Sequence, residues 1–287
     1  MLKRTLTALL LIPPVVYVIG WSPKWLFVLA TVVAVVLALR EYFALCRAMS
    51  FEIFPWVGYP GAAVLSLVHL LPKEQSHYVA ELLVLVILLL LVPTLGLWRS
   101  TNFKEYLVAT SVTIFGIFYI GFAFSCLVAL RLSPLSFEAP QGGQGIQQPL
   151  GASRPLLLLF LVIWAGDICA YLVGRSIGRI PFFARISPRK TWEGALAGLA
   201  GSLLASWAFA HWFWKLADVK TIVLLAAWVA VAGQFGDLVE SAIKRGANQK
   251  DSGTLLPGHG GFLDRIDSLL FAAPAMWLAM FVLGSWL

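Results

Sequence analysis

Long apolar runs separated by short polar stretches dominate this chain, and run length sets the elements more than any periodicity does. A run of about 20 residues crosses a hydrocarbon layer as one helix. Nine such helices are expected, at residues 5–21, 25–39, 54–71, 79–97, 107–130, 155–174, 192–214, 221–238 and 268–286. Pro13 and Pro14 interrupt the first, and only Ser22, Pro23 and Lys24 separate it from the second. Trp21, Trp25, Trp98, Trp192, Trp214 and Trp286 fall at the expected ends, as an interfacial aromatic belt requires. The pattern predicts an all-α, polytopic integral membrane protein. An odd number of crossings puts the two termini on opposite sides.

Composition supports that reading. Hydrophobic residues make up 60% of the chain and charged residues 12%, roughly half the usual charged share of a soluble domain. Residues 82–97 and 156–165 could not be exposed to water, and a soluble domain of this size could not bury every such run. Orientation follows from the cations. With the N-terminus in the cytoplasm, the inner side collects 15 Lys and Arg and the outer side 6, out of 21. That is the positive-inside asymmetry, and a bacterial inner membrane suits it. The pI near 9.5 suits anionic lipid head groups, at about 1 kcal/mol per well-placed cation. The cations are scattered over short loops, so no basic face for nucleic acid is expected.

Lys3 and Arg4 ahead of an apolar run imitate a signal peptide, but no small-x-small cleavage site follows, and an uncleaved first span is expected. Cys46, Cys126 and Cys169 lack metal or redox spacing and read as small apolar packing residues. Residues 133–153, rich in Gly, Gln and Pro, read as an external flexible loop. No internal repeat of the transporter kind is visible. Residues 1–150 read as an N-terminal membrane-helix region, and residues 151–287 as a C-terminal catalytic membrane region.

Chemistry concentrates in three inner-side segments. Asp167 sits within the sixth span, about 7 residues or roughly 10 Å from its inner end. An intramembrane acid faces a partner or a wet cavity; the alternative is a protonated, hydrogen-bonded structural acid. The second segment, 186–194, crowds Arg189 and Lys190 beside Ser187 and Thr191 at the start of the seventh span. Hydroxyls and an ammonium at a helix N-terminus suit a phosphate, whereas Arg185 and Arg189 read equally well as topogenic charge. The third segment runs from Gly236 to Asp267. Asp237, Glu240 and Lys244 recur at i, i+3 and i+7 on one helix face. The longest polar run follows, with Arg245, Lys250, Asp251, His259, Asp264, Arg265 and Asp267. Gly258, Gly260 and Gly261 permit backbone conformations that aim N–H groups at an anion. Asp237, Asp264 and Asp267 together would form an oxygen-only site for Mg²⁺ or Mn²⁺; ion pairing with neighbouring cations is the alternative. His259 reads as a phosphate donor or a loop stabiliser.

The run S-x-x-K-R-x4-K-D followed by H-G-G-x-x-D-R-x-D resembles the signature of the phosphatidate cytidylyltransferases, or CDP-diacylglycerol synthases. Ser241, Lys244, Arg245, Lys250, Asp251, His259, Gly260, Gly261, Asp264, Arg265 and Asp267 carry it without departure. The upstream Ser-Pro-x-Lys-Thr-Trp-Glu-Gly and Gly-Asp-Leu-x-Glu-Ser runs look similar too. The match covers the C-terminal half; the N-terminal half agrees only in being a run of spans. The resemblance implies that CTP and phosphatidate give CDP-diacylglycerol and pyrophosphate at a cytoplasmic-side cavity, with Mg²⁺, a second cation such as K⁺, and a homodimer. It implies that Lys250, Asp251, His259, Asp264 and Arg265 are catalytic. Lys190, Ser187, Thr191, Lys244, Arg245, Gly260 and Gly261 would bind substrate, and Asp237, Asp264 and Asp267 would bind metal, with Asp167 and Glu240 as further candidates. A related lipid kinase would release CDP instead. A CDP-alcohol phosphotransferase needs D-G-x-x-A-R, which is absent here, and the glycine- and cation-rich loop argues against a transporter.

Overall fold

The computed structural model describes residues 13–71, 77–99, 102–132, 153–214, 218–255 and 260–284. It is all-α: the described residues form no β-strand, and Pro181 and Thr191 pair in an isolated antiparallel bridge. The helices are α1 (Lys24–Ala48), α2 (Pro55–Leu67), α3 (His77–Leu97), α4 (Phe103–Gly116), α5 (Ala123–Leu132), α6 (Arg154–Ile177), α7 (Trp192–Phe213), α8 (Val219–Gly246) and α9 (Leu269–Gly284). Residues 13–20 are helical as well. A π-helical turn, Ile117–Phe122, joins α4 to α5.

Each of the nine expected segments is helical in its described interior, and six helical stretches are long and apolar enough to cross a membrane. These are Lys24–Ala48, Val79–Leu97, Phe103–Leu132, Arg154–Ile177, Trp192–Phe213 and Val219–Gly246. The segment expected at 54–71 is shorter than a full crossing: α2 has 13 residues and gives way to a 3-10 turn at Val68–Leu70. In the opposite sense, α1 continues past the expected end at residue 39 to Ala48. It continues because Leu39, Tyr42, Phe43, Leu45 and Cys46 keep burying a helical face.

Contacts divide the chain into two units. The first comprises residues 1–8, 23–129 and 243–266. Its core gathers Phe54, Val57, Leu65, Leu88, Val92, Ala109 and Ile117. Tyr42 Oη donates to the Val112 carbonyl at 2.9 Å, and the Phe54 N–H donates to Thr113 Oγ1 at 3.0 Å. These bonds tie α1 and the start of α2 to α4.

The second unit comprises residues 9–22, 130–242 and 267–287. Its centre is the pair α6 and α7, which meet through small residues. On α7 the buried positions Gly194, Gly198, Ser202 and Ser206 recur every fourth residue. A Cβ on Gly198 would meet the Gly166 carbonyl oxygen at 3.0 Å and Ala170 Cβ at 3.1 Å. Backbones approach this closely in a membrane only where side chains are small, because dispersion and hydrogen bonding must replace the hydrophobic effect. Ser202 Oγ donates to the Val162 carbonyl at 2.7 Å, which seals the contact.

Candidate active site

The second unit builds a polar cavity beside the α6–α7 contact. The connection between these helices is cinched by two backbone bonds. Phe182 N–H donates to the Lys190 carbonyl at 2.7 Å, and Trp192 N–H to the Ile180 carbonyl at 2.9 Å. Thr191 is the N-cap of α7, its hydroxyl accepting from the Gly194 N–H at 3.2 Å. This closure delivers Lys190 to the N-terminal end of α7, where its ammonium forms an ion pair with Asp237 of α8. The other Asp237 oxygen accepts from Ser241 Oγ at 3.4 Å.

The cavity has a volume of about 780 Å³ and is lined by Asp167, Tyr171, Arg175, Arg189, Lys190, Thr191, Gln234, Asp237 and Ser268, among others. Arg175 Nη1 donates to Tyr171 Oη at 2.7 Å, and Gln234 Nε2 donates to the Ala195 carbonyl at 2.9 Å. A chamber of about 30 Å³, room for about one water, shares Asp167, Gln234 and Ser268 with it and adds Ser202 and Gly166. Ser187 lies outside the cavity lining, in the turn whose carbonyl accepts from the Lys190 N–H.

Asp267 precedes α9, and its Oδ1 accepts from the Ser268 N–H at 2.6 Å. Burial, then the like charges of Asp237, Glu240 and Asp167, push its carboxyl well above the usual carboxylate range. A shared cation would relieve that repulsion, so the donor chemistry of Asp237 and Asp267 fits a hard divalent ion. Among the described residues, no three Asp, Glu, His or Cys side chains are grouped as ligands of one ion.

The first unit holds the rest of the signature. Asn248, at φ 54°, ends α8 in a left-handed turn, and the Gln249 N–H closes back on the Lys244 carbonyl at 2.9 Å. Lys250 and Asp251 follow and are exposed. Lys244 Nζ donates to Asp264 Oδ1 at 2.6 Å. Asp264 Oδ2 accepts from the Ser252 N–H at 2.9 Å and the Gly261 N–H at 2.8 Å. Burial raises the Asp264 carboxyl, but Lys244 and these N–H groups outweigh it and hold the group below its ordinary value. Asp264 is therefore the knot of the loop. Gly260 takes φ +80°, a conformation that only glycine adopts without strain, and a Cβ there would meet Asp264 Oδ2 at 2.9 Å. Arg245 Nη1 donates to the Gln249 carbonyl at 3.0 Å, while Arg265 is exposed on the 3-10 turn Leu263–Arg265. His259, like Gly258, lies outside the described residues.

The structure thus brings Lys190 to Asp237 and Lys244 to Asp264, and it adds partners that the motifs do not contain. Arg175, Tyr171 and Gln234 line the cavity. Glu41 of α1, only 6% exposed, accepts from the Phe262 and Leu263 N–H groups at 2.9 and 2.8 Å and from Ser252 Oγ at 2.9 Å. Its one signal in the sequence is a carboxylate just beyond an apolar run.

A model of the cytidylyltransferase family matches residues 2–283. The chain is 34% identical over 277 residues to a phosphatidate cytidylyltransferase of Synechocystis, covering 88% of this chain and 87% of that one. It is 35% identical over 227 residues to the Bacillus subtilis phosphatidate cytidylyltransferase, covering 74% and 75%. The protein of the same name from Brucella suis is 41% identical over 168 residues, covering 57% and 54%. This polytopic membrane chain belongs to the cytidylyltransferase family.

Proposed function

We propose that the protein transfers the cytidylyl group of CTP to phosphatidate, releasing pyrophosphate and forming CDP-diacylglycerol. The observation that carries this reading is the cavity of about 780 Å³ with Lys190, Arg189 and Arg175 on its wall beside Asp167 and Asp237. Such a volume falls within the range for small-molecule and cofactor sites, and the mixed charges suit a polyphosphate together with a cation. The relatives' names point to the same substrates.

A phosphate monoester has a second pKa near 6, so at neutral pH the lipid phosphate is already mostly a dianion. No strong general base is needed. A lipid phosphate oxygen bonds to the α-phosphorus of CTP, the bond from that phosphorus to the bridging oxygen breaks, and pyrophosphate leaves with the electron pair. The obstacle is like charge, and the work of this chain's residues is to offset it. Lys190 and Arg189 face the triphosphate, Arg175 orients on Tyr171 toward the lipid head group, and Lys250 and Arg265 supply further cations from the signature loop. Thr191 keeps the first turn of α7 in shape, with its N–H groups turned to anionic oxygen. Asp237 and Asp267 would hold Mg²⁺, with Asp167 as a further candidate; Asp264, which the motif also offers as a ligand, is engaged by Lys244. When bound, the ion neutralises charge that builds on the leaving pyrophosphate. Mn²⁺ as a substitute, a second cation such as K⁺ and a homodimer belong to the same proposal, as does a cytoplasmic-facing site in a bacterial inner membrane.

The test is purified protein with labelled phosphatidate, CTP and Mg²⁺. CDP-diacylglycerol with stoichiometric pyrophosphate is expected. Release of CDP with a more highly phosphorylated lipid would identify a lipid kinase and reject this reading.

A further inference from the structure

Glu41 lies in α1, more than 200 residues before the signature loop, yet it is fully engaged by that loop. Its Oε1 accepts from the Phe262 N–H at 2.9 Å. Its Oε2 accepts from the Leu263 N–H at 2.8 Å and from Ser252 Oγ at 2.9 Å. Two consecutive N–H groups entering the 3-10 turn Leu263–Arg265 are therefore satisfied by a carboxylate from another helix, the task that an N-cap side chain usually performs locally. Ser252 knots the two ends of the loop: its hydroxyl also accepts from the Asp264 N–H at 3.3 Å, and its own N–H donates to Asp264 Oδ2.

The loop is shaped to admit this carboxylate. A Cβ on Gly253 would meet Glu41 Oε1 at 2.6 Å, and one on Gly261 would collide with Ser252 Oγ and the Glu41 carboxylate. Glycine at both positions lets the backbone close around the acid. A charge brought into this setting is tolerated only if its hydrogen bonds are complete. Here the carboxylate has three donors.

We propose that Glu41 is a positioning residue for the transfer reaction, holding residues 250–255 to residues 260–265 in the arrangement that presents Lys250 and Arg265. This rests on the reading that the loop acts on substrate phosphates. Glutamine at this position keeps the size but offers an N–H₂ where an acceptor is required, so one of the three donors loses its partner. Loss of a charge-assisted hydrogen bond here corresponds to about a ten- to hundredfold drop in kcat/KM.

The test is hydrogen–deuterium exchange on purified full-length Glu41→Gln, Glu41→Asp and Ser252→Ala, alongside turnover with CTP and phosphatidate. In Glu41→Gln, exchange should rise in peptides spanning 250–255 and 260–265 and stay unchanged in α6 and α7. Turnover should fall by the stated factor with the thermal unfolding temperature nearly retained. Glu41→Asp, which keeps the charge, should recover part of both. Ser252→Ala removes one donor to Glu41 together with the acceptor of the Asp264 N–H and should shift both in the same direction; it serves in place of Glu41→Gln if that variant does not fold. Unchanged exchange in these peptides overturns the proposal, and so does raised exchange with undiminished turnover. The exchange readout needs no substrate. If the wild-type protein makes no CDP-diacylglycerol, the functional reading falls, and the exchange data still decide whether Glu41 holds the loop.

Discussion

Lys190 and Lys244 each neutralise one aspartate, and the two pairs differ in what else supports them. Asp264 has two backbone N–H donors besides its lysine, so it is over-determined and stays ionised. Asp237 relies on Lys190, with Ser241 as a longer contact, and it is one of the like charges that push the Asp267 carboxyl up. Lys190→Met should therefore leave the acids of the cavity to repel one another. Turnover should fall about 10- to 100-fold, the worth of one charge-assisted contact, while unfolding of the purified protein changes little. Near-normal activity in Lys190→Met would show that the cation is only topogenic. Lys250→Met and Arg265→Gln test the exposed cations of the loop in the same way, and folded protein with at least tenfold reduced turnover is expected for each. Resolving both pairs from sequence was not possible, because a lysine near several carboxylates in a motif can satisfy any of them.

At the scale of elements, the close pairing of α6 with α7 decides where Asp167 and Lys190 sit. The contact depends on Gly166, Gly194 and Gly198, where backbone meets backbone. Gly198→Leu should force these helices apart at a cost of about 1–3 kcal/mol or more, read as a lower melting temperature in detergent and lost turnover. Gly198→Ala, facing neighbours at 3.0 and 3.1 Å, should be milder. A Gly198→Leu variant that melts and turns over like wild type would show that the contact is not what holds the site. The fourfold spacing of small residues on α7 was present in the sequence, but its partner helix was not identifiable from one strand of the contact.

For the whole molecule, orientation can be tested with single cysteines. Thr254, exposed in the signature loop, should react as Thr254→Cys with an impermeant thiol reagent from the cytoplasmic side only. Gly143→Cys, in the segment expected outside, should react from the opposite side only. The native Cys46 and Cys126 are buried and should stay silent. The reverse labelling pattern would overturn the orientation drawn from the Lys and Arg tally and leave CTP without access to the site.

Much of this protein is determined by local chemistry that sequence displays directly. Apolar runs of spanning length have no alternative to helix, because unpaired backbone groups are too costly in hydrocarbon. The signature residues stand out because cations, carboxylates and paired glycines gather into one polar run in an otherwise apolar chain. Tertiary structure alone decided the pairings. Lys190 and Asp237 are 47 residues apart and Glu41 and Leu263 are 222 apart, and no periodicity connects residues at such separations. The same holds for the end of α1: hydropathy stops at Leu39, whereas the helix runs on to Ala48 because its later turns find a buried face and a loop in need of a carboxylate. Hydrophobicity determines which segments are helices; which polar group meets which depends on the packing of those helices.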